Sequence, residues 1–297
     1  VTQARRLLAD WAALSIDIEV NPASDNRIFK IGAARSDSAD HLSLGVGKDK
    51  AAVARQVDAL TTGARGMVGH TLRGHDVPEL RRQLPGLACL DLPLVDTLEW
   101  SVLAFPANPY HRLVKGYKLL SDTRNDPLKD ARLTLNLLGD EIEAFAGMHA
   151  KDPEWLALMH YLVTHDPPLD QCFRGVRDAD APDPVEAARL ATTLFAPRCC
   201  RTRLARIADH DFADTPDHRF ALALALGWIR VAGGNSVLPI WVHQSLPRVR
   251  ALIAELRERD CGDPACAYCR EQHNPEYLLA LNFGHTAFRP KPAAPHG

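Results

Sequence analysis

The sequence predicts an α/β layered domain in its first half, followed by a mainly α-helical region carrying a small metal knuckle. Three observations predict this. Runs of alternating apolar and polar residues open the chain, strand-like segments then alternate with helix-like ones, and beyond Gly147 apolar residues recur at spacings of three and four. A chain of 297 residues exceeds the ~100–200 residues typical of one domain, so more than one module is expected.

The elements come in order along the chain. Residues 12–20 alternate, with Leu14, Ile16, Ile18 and Val20 on one side. That is the period of a half-buried strand, and it puts Asp17 and Glu19 together on the other face. A dense turn signal at Asn21, Pro22, Asp25 and Asn26 separates it from a second strand over 28–34, and 41–46 reads as a third, giving an antiparallel meander. A helix over 50–61, a short apolar strand at 67–69 and a helix over 77–84 come next. Leu94 and Val95 close the sheet pattern before Asp96 and Thr97 cap another helix. Leu128, Ala131, Leu135, Leu138 and Ile142 then define an amphipathic helix over 125–145, with Asp130 flanking its apolar stripe. Further helices are expected at 153–163, 184–194, 218–231 and 246–259, with a loop at 178–184 and an unpacked Pro-rich end at 289–297. The expected division is 9–147 for the layered domain, 148–260 for the helical region and 261–290 for the knuckle with the segment after it.

Composition narrows the classes. With 35 basic and 37 acidic residues the chain has no global positive field, so any contact with nucleic acid must be a local patch. The longest apolar run, 220–226 extending to 231, is far short of the ~20 residues that span a bilayer, and no basic start leads into an apolar stretch. A soluble, unexported, cytoplasmic protein with no membrane partner is expected. A chain that starts at Val1 and stops in a Pro-rich tail is expected to be a piece of a longer one. Seven cysteines, three of them crowded between 261 and 269 beside a histidine, suit thiolate metal binding better than disulfides.

The carboxylates carry the chemistry. Hydrolysis of a phosphodiester needs an attacking hydroxide, stabilisation of the leaving oxygen and in-line geometry, and two divalent ions ~3.5–4 Å apart supply all three. Hard ions such as Mg²⁺ take oxygen ligands, so converging Asp and Glu side chains are required. An Asp-x-Glu on a strand is nonspecific alone, because solvent-facing carboxylates alternate in many strands. Read in order, four segments are more specific: Ser15-Ile16-Asp17-Ile18-Glu19-Val20 with Arg27-Ile28-Phe29-Lys30-Ile31-Gly32-Ala33 after its turn; Val68-Gly69-His70-Thr71-Leu72-Arg73-Gly74-His75-Asp76-Val77-Pro78-Glu79-Leu80; Leu94-Val95-Asp96-Thr97-Leu98; and Asp130-Ala131-Arg132-Leu133-Thr134. Together they resemble the motifs of the DnaQ-like, or DEDD, exonucleases over about half the chain. The resemblance implies an RNase H-like mixed sheet flanked by helices. It also implies Asp17, Glu19, Asp76 and Asp130 as ligands of Mg²⁺ or Mn²⁺, and 3′-to-5′ removal of nucleotides, with a DNA 3′ end favoured over RNA as partner.

One position departs from the family, which places a histidine five residues, or a tyrosine four residues, before the last aspartate as general base. Asn125 and Asp126 stand there. Asparagine can orient a water without taking its proton, whereas a carboxylate at 126 can act as base or bind metal. His111 is a weaker candidate. A second reading therefore stays open, in which the fold is kept as a slow or inactive nucleic-acid- or protein-binding module. His70, His75 and Asp96 are expected to be structural, and Lys115, Lys118 and Arg112, interleaved with Tyr110 and Tyr117, suit either strand binding or a solvated loop.

Cys261-x4-Cys266-x2-Cys269-x3-His273 offers three thiolates and an imidazole, a donor set for structural zinc, with Gly262, Asp263 and Pro264 supplying the turn. Cys199 and Cys200 are expected to be buried or incidental. The stretch 232–239, this knuckle, and the closing Asn282-Phe283-Gly284-His285-Thr286-Ala287-Phe288-Arg289-Pro290 resemble the lead-in to RecQ-family DNA helicases. That resemblance implies a nuclease region separated from a helicase core. The sequence holds no Gly-x4-Gly-Lys-Ser/Thr loop with which to cradle a nucleotide phosphate.

Overall fold

The computed structural model describes residues 7, 10–111, 126–211, 216–231 and 237–273. Asn125, most of the basic loop after His111 and the closing 282–290 motif lie outside them. The chain divides into two compact units, Val1–Pro182 with Gly233–Pro239, and Asp183–Ala232 with Ile240–Gly297.

In the first unit β1 (Ala13–Asn21), β2 (Arg27–Arg35) and β3 (His41–Gly45) form the antiparallel meander. α1 (Lys50–Thr61) leads to β4 (Gly66–Gly69), and α2 (Val77–Gln83) to β5 (Leu94–Asp96). The five strands make one mixed sheet in the order β3-β2-β1-β4-β5, antiparallel across β1/β2 and β2/β3 and parallel across β1/β4 and β4/β5. The return to β1 by a parallel neighbour requires a crossover, and α1 provides it. Leu14, Ile16 and Ile18 bury on one face with Val53 and Val57 of α1 and Leu80 of α2.

The opposite face of β1 is not solvent at its start, since Ser15 is fully buried. α3 (Thr97–Ala104) and the long α4 (Pro127–Lys151) follow β5, and α4 packs along β1 and β2. Its buried side is Asp130, Ala131, Thr134, Leu135, Leu138, Glu141, Ile142 and Phe145, the stripe that the periodicity anticipates. The half-buried strand expected from alternation is therefore covered on both faces where α4 lies. Gly32 makes the fit possible: a Cβ there would stand 2.0 Å from the Leu128 nitrogen and 2.2 Å from the Pro127 carbonyl carbon. Only a residue without a side chain allows helix backbone to approach strand backbone so closely.

α5 (Pro153–Val163) and α6 (Pro167–Arg177) complete this unit. A chain of aromatic contacts joins them to it: Trp11 stacks on Trp100 with ring centres 5.8 Å apart, Trp100 meets Phe145 at 6.2 Å, Phe145 meets Phe173 of α6 edge-on at 4.8 Å, and Phe173 meets the His160 ring of α5 at 5.8 Å. The boundary expected at Gly147 thus falls inside α4, and the units part between Pro182 and Asp183 instead.

The second unit holds α7 (Pro184–Phe195), α8 (Arg201–Asp211), α9 (Pro216–Val231), α10 (Ile240–Ser245), α11 (Pro247–Arg257) and α12 (Ala267–His273). α9 packs on α11, and Arg257 lies over the Trp228 ring at 5.9 Å. Asp183 caps α7 by accepting the Glu186 N–H at 2.9 Å. Among the described residues no helix is long and apolar enough to cross a membrane.

Candidate metal centres

Strand alternation puts Asp17 and Glu19 on the α4 side of β1, opposite Gly32 and Lys30 in the β1/β2 register. The approach of α4 at Gly32 then brings its first turn, with Asp130, over the same place. Carboxylate oxygens of Asp17, Glu19 and Asp130 lie within 4.8 Å of one another. Three negative groups so close repel unless a cation sits among them, and oxygen donors at this separation suit a hard divalent ion.

Asp76 stands beside this group and not within it. β4 leaves β1 after Ser15, the last paired residue, so the Ile18 N–H has no strand to bond. Asp76 Oδ1 accepts that N–H at 3.2 Å. Burial, reinforced by the Asp17 charge, pushes the Asp76 carboxyl well above the usual carboxylate range. Of the four carboxylates expected to converge, three do. The fourth is anchored to the backbone between the first two.

The turn that carries Asp76 is a single π-helical turn, Leu72–Asp76, entered through Thr71 at φ +68°. Asp96 organises it: Oδ1 accepts the Thr71 N–H at 2.9 Å and the Leu98 N–H at 3.0 Å, and Oδ2 the Arg73 N–H at 2.9 Å. The Arg73 guanidinium adds Glu99 at 3.2 Å and Asp166 at 3.1 Å. Asp96 therefore has the structural, helix-capping role expected of it. The His70 Nδ1 meets Thr97 Oγ1 at 3.0 Å, and burial lowers its pKa to about 4, so the ring is neutral at physiological pH. His111, buried, meets Ser101 Oγ at 2.8 Å. His75 is exposed on the π-helical turn.

Asp126 holds the N-cap position of α4, one turn before Asp130, without a side-chain capping bond, and its carboxylate faces the Lys30 ammonium at 3.8 Å. Lys30 is in turn the cross-strand partner of Glu19. Further along α4, Glu141 is fully buried and neither of its oxygens meets a hydrogen-bond partner among the described residues. Burial, with lesser contributions from Asp96 and Asp140, pushes this carboxyl well above its usual range.

In the second unit the thiols converge. Cys200, Cys261, Cys266 and Cys269 bring their sulfurs within 4.8 Å of one another, and none is in a disulfide. Gly262 takes φ +71° at the turn, and Asp263 ties it down: its carboxylate accepts the Ala265 N–H at 2.9 Å and the Thr202 hydroxyl at 3.1 Å. Cys200, expected from the sequence to be buried or incidental, is buried and joins the group in the place expected of His273. The reason is distance along the chain: Cys200 precedes α8 and approaches the knuckle only through folding, whereas spacing rules see neighbours in sequence. His273 instead sets its ring edge-on to Tyr268 at 6.1 Å. Cys199 turns away, its thiol directed to the Phe195 carbonyl at 3.6 Å.

No protein-family model, curated protein or solved structure matches the chain.

Proposed function

We propose that the first unit is a metal-dependent 3′-to-5′ exonuclease acting on DNA 3′ ends, with an RNase H-like fold. The observation that carries this reading is the convergence of Asp17, Glu19 and Asp130 within 4.8 Å at one place on the sheet, with Asp76 fastened beside them. The strand order β3-β2-β1-β4-β5 with an antiparallel β2 supports the fold assignment. Mg²⁺ or Mn²⁺ bound there would supply an activated water and offset charge on the phosphate.

The chain's own residues do the rest. Asp17 and Glu19 present oxygens from a strand whose position is fixed on both faces. Asp130 presents its own from the first turn of α4, where Gly32 sets the depth. Asp126, paired with Lys30 and one turn before Asp130, would be the carboxylate that orients or deprotonates the attacking water. His70 and His111 are engaged with Thr97 and Ser101, which makes each a weaker candidate for that role. The four thiols of the second unit suit structural zinc. The RecQ-like segments make the whole a candidate nuclease module of a helicase-nuclease.

The second reading, a binding module that keeps the nuclease fold without turnover, is favoured by Asn125 standing where the family has its histidine. The test incubates the chain with 3′-labelled and 5′-labelled single-stranded DNA and RNA, with and without Mg²⁺ and Mn²⁺. Metal-dependent shortening from the 3′ end is expected, with loss of at least ~10²-fold in Asp17→Asn, as for removal of one preorganised charge-stabilising group. Asp126→Asn is expected to slow turnover while leaving Mn²⁺ affinity unchanged. Binding without cleavage by a folded protein would favour the second reading.

A further inference from the structure

We infer that Cys200, Cys261, Cys266 and Cys269 form a closed site for a single zinc ion that staples the start of α8 to the segment joining α11 and α12, and that His273 is not a ligand. This rests on the zinc reading of the thiol group and adds its ligand set, its nuclearity and its structural role.

The sulfur separations decide the nuclearity. A tetrahedral ion with Zn–S bonds of about 2.3 Å spaces its thiolates about 3.8 Å apart. Cys200 and Cys266 stand 4.0 Å apart, and all four sulfurs fall within 4.8 Å of one another. A disulfide would need about 2.05 Å. An iron–sulfur cubane separates its four thiolates by a core of iron and sulfide atoms, for which this group leaves no room.

The donor set is also complete. Four thiolates close a tetrahedron and keep no position for water, the arrangement of a structural site. Cys200, Cys266 and Cys269 are buried, and the Arg203 N–H points to the Cys200 sulfur at 3.4 Å, an outer contact of the kind that orients a ligand.

The structural role is set by where the ligands lie. Cys261, Cys266 and Cys269 belong to one short stretch, but Cys200 comes from the other end of a segment that includes α8, α9, α10 and α11. An ion held by all four closes that entire segment into a loop, so its binding free energy enters the folding of the second unit. The Cys200 N–H to Leu256 carbonyl bond at 2.8 Å and the Thr202–Asp263 bond already align the two ends.

The full chain, purified without chelator, is measured for zinc, iron and acid-labile sulfide, alongside Cys200→Ala, His273→Ala and Cys199→Ala. About one zinc per chain is expected in the unaltered protein, His273→Ala and Cys199→Ala, with zinc lost or weakened at least ~10-fold in Cys200→Ala. Cobalt substituted into the unaltered chain should give the ligand-field and charge-transfer spectrum of four thiolates, a readout that stands even if Cys200→Ala fails to fold. Chelation should open the second unit to protease while the sheet of the first stays protected. Zinc kept by Cys200→Ala and lost by His273→Ala, with a three-thiolate cobalt spectrum, overturns this inference and leaves the zinc reading standing. Iron with sulfide, or no metal at all, overturns both.

Discussion

Substituting Gly32 by alanine tests how the acidic group is built. The added Cβ would stand 2.0 Å from the Leu128 nitrogen, 2.2 Å from the Pro127 carbonyl carbon and 2.6 Å from the Leu128 Cα. All three are backbone atoms, so no rotamer change relieves the clash. To reach ordinary contact at 3.4 Å from 2.0 Å, the start of α4 must retreat by about 1.4 Å. Asp130 lies in that same first turn and retreats with it, while Asp17 and Glu19 stay with the sheet. Metal–ligand distances tolerate only about ±0.2 Å, and a displacement of ~1 Å can cost about 10²-fold in rate. Overpacking of this kind costs about 1–3 kcal/mol of stability.

The assay is calorimetric titration with Mn²⁺, paired with thermal unfolding of the same samples. Gly32→Ala is expected to weaken Mn²⁺ binding at least ~10-fold, in line with loss of one oriented ligand. Ile142→Val is the control, because it costs about 1 kcal/mol on the same helix without touching its start. It should lower the melting temperature comparably and leave Mn²⁺ affinity intact. Gly32→Ala with unaltered affinity and melting would refute the argument, since α4 would then not be seated on Gly32.

Glu141 and Asp96 give two further expectations. A carboxyl whose folded pKa is raised contributes stability that is full below its unfolded value, ~4.3, and is lost as pH rises through the folded one. Glu141→Met should therefore gain little over the unaltered chain near pH 4 and progressively more above it, by up to about 1.4 kcal/mol per pH unit. Urea midpoints from pH 5 to 8 measure this, and a pH-independent difference would rule it out. Asp96→Ala leaves the Thr71, Arg73 and Leu98 N–H groups without their acceptor. At about 1 kcal/mol or more each, the loss should reach roughly 3 kcal/mol, whereas Asp96→Asn keeps one acceptor oxygen and should lose less. Equal stability of the two variants in denaturant melts would show that these bonds do not hold the turn.

Much of the sheet was legible because its signals are local. The alternation of Leu14, Ile16, Ile18 and Val20 marks β1, and the stripe from Leu128 to Ile142 marks α4, whose buried face the structure bears out. The Asp-x-Glu pair follows from that alternation, and its meeting with Asp130 was readable only through the order of the motifs. What escaped depends on contacts far apart in sequence. Ser15 is buried because α4 covers it, Asp76 bonds the Ile18 N–H because β4 parts from β1, and Cys200 reaches the knuckle only in the folded unit. α6 does carry a local signal in the sequence: Asp166 before two prolines, whose carboxylate accepts the Leu169 N–H at 3.1 Å.

Seating α4 on Gly32 also distributes mutational tolerance unevenly around the centre. The contact is peptide against peptide, so the spacing between helix and sheet at that level contains no side chain whose size can drift. Exchanges among Val53, Val57 and Leu80 alter volume on the far face of the sheet and leave that spacing untouched. Sensitivity is instead concentrated in one hydrogen atom. A lineage of such chains could replace most of its core over time and still be forbidden a single methyl group at residue 32.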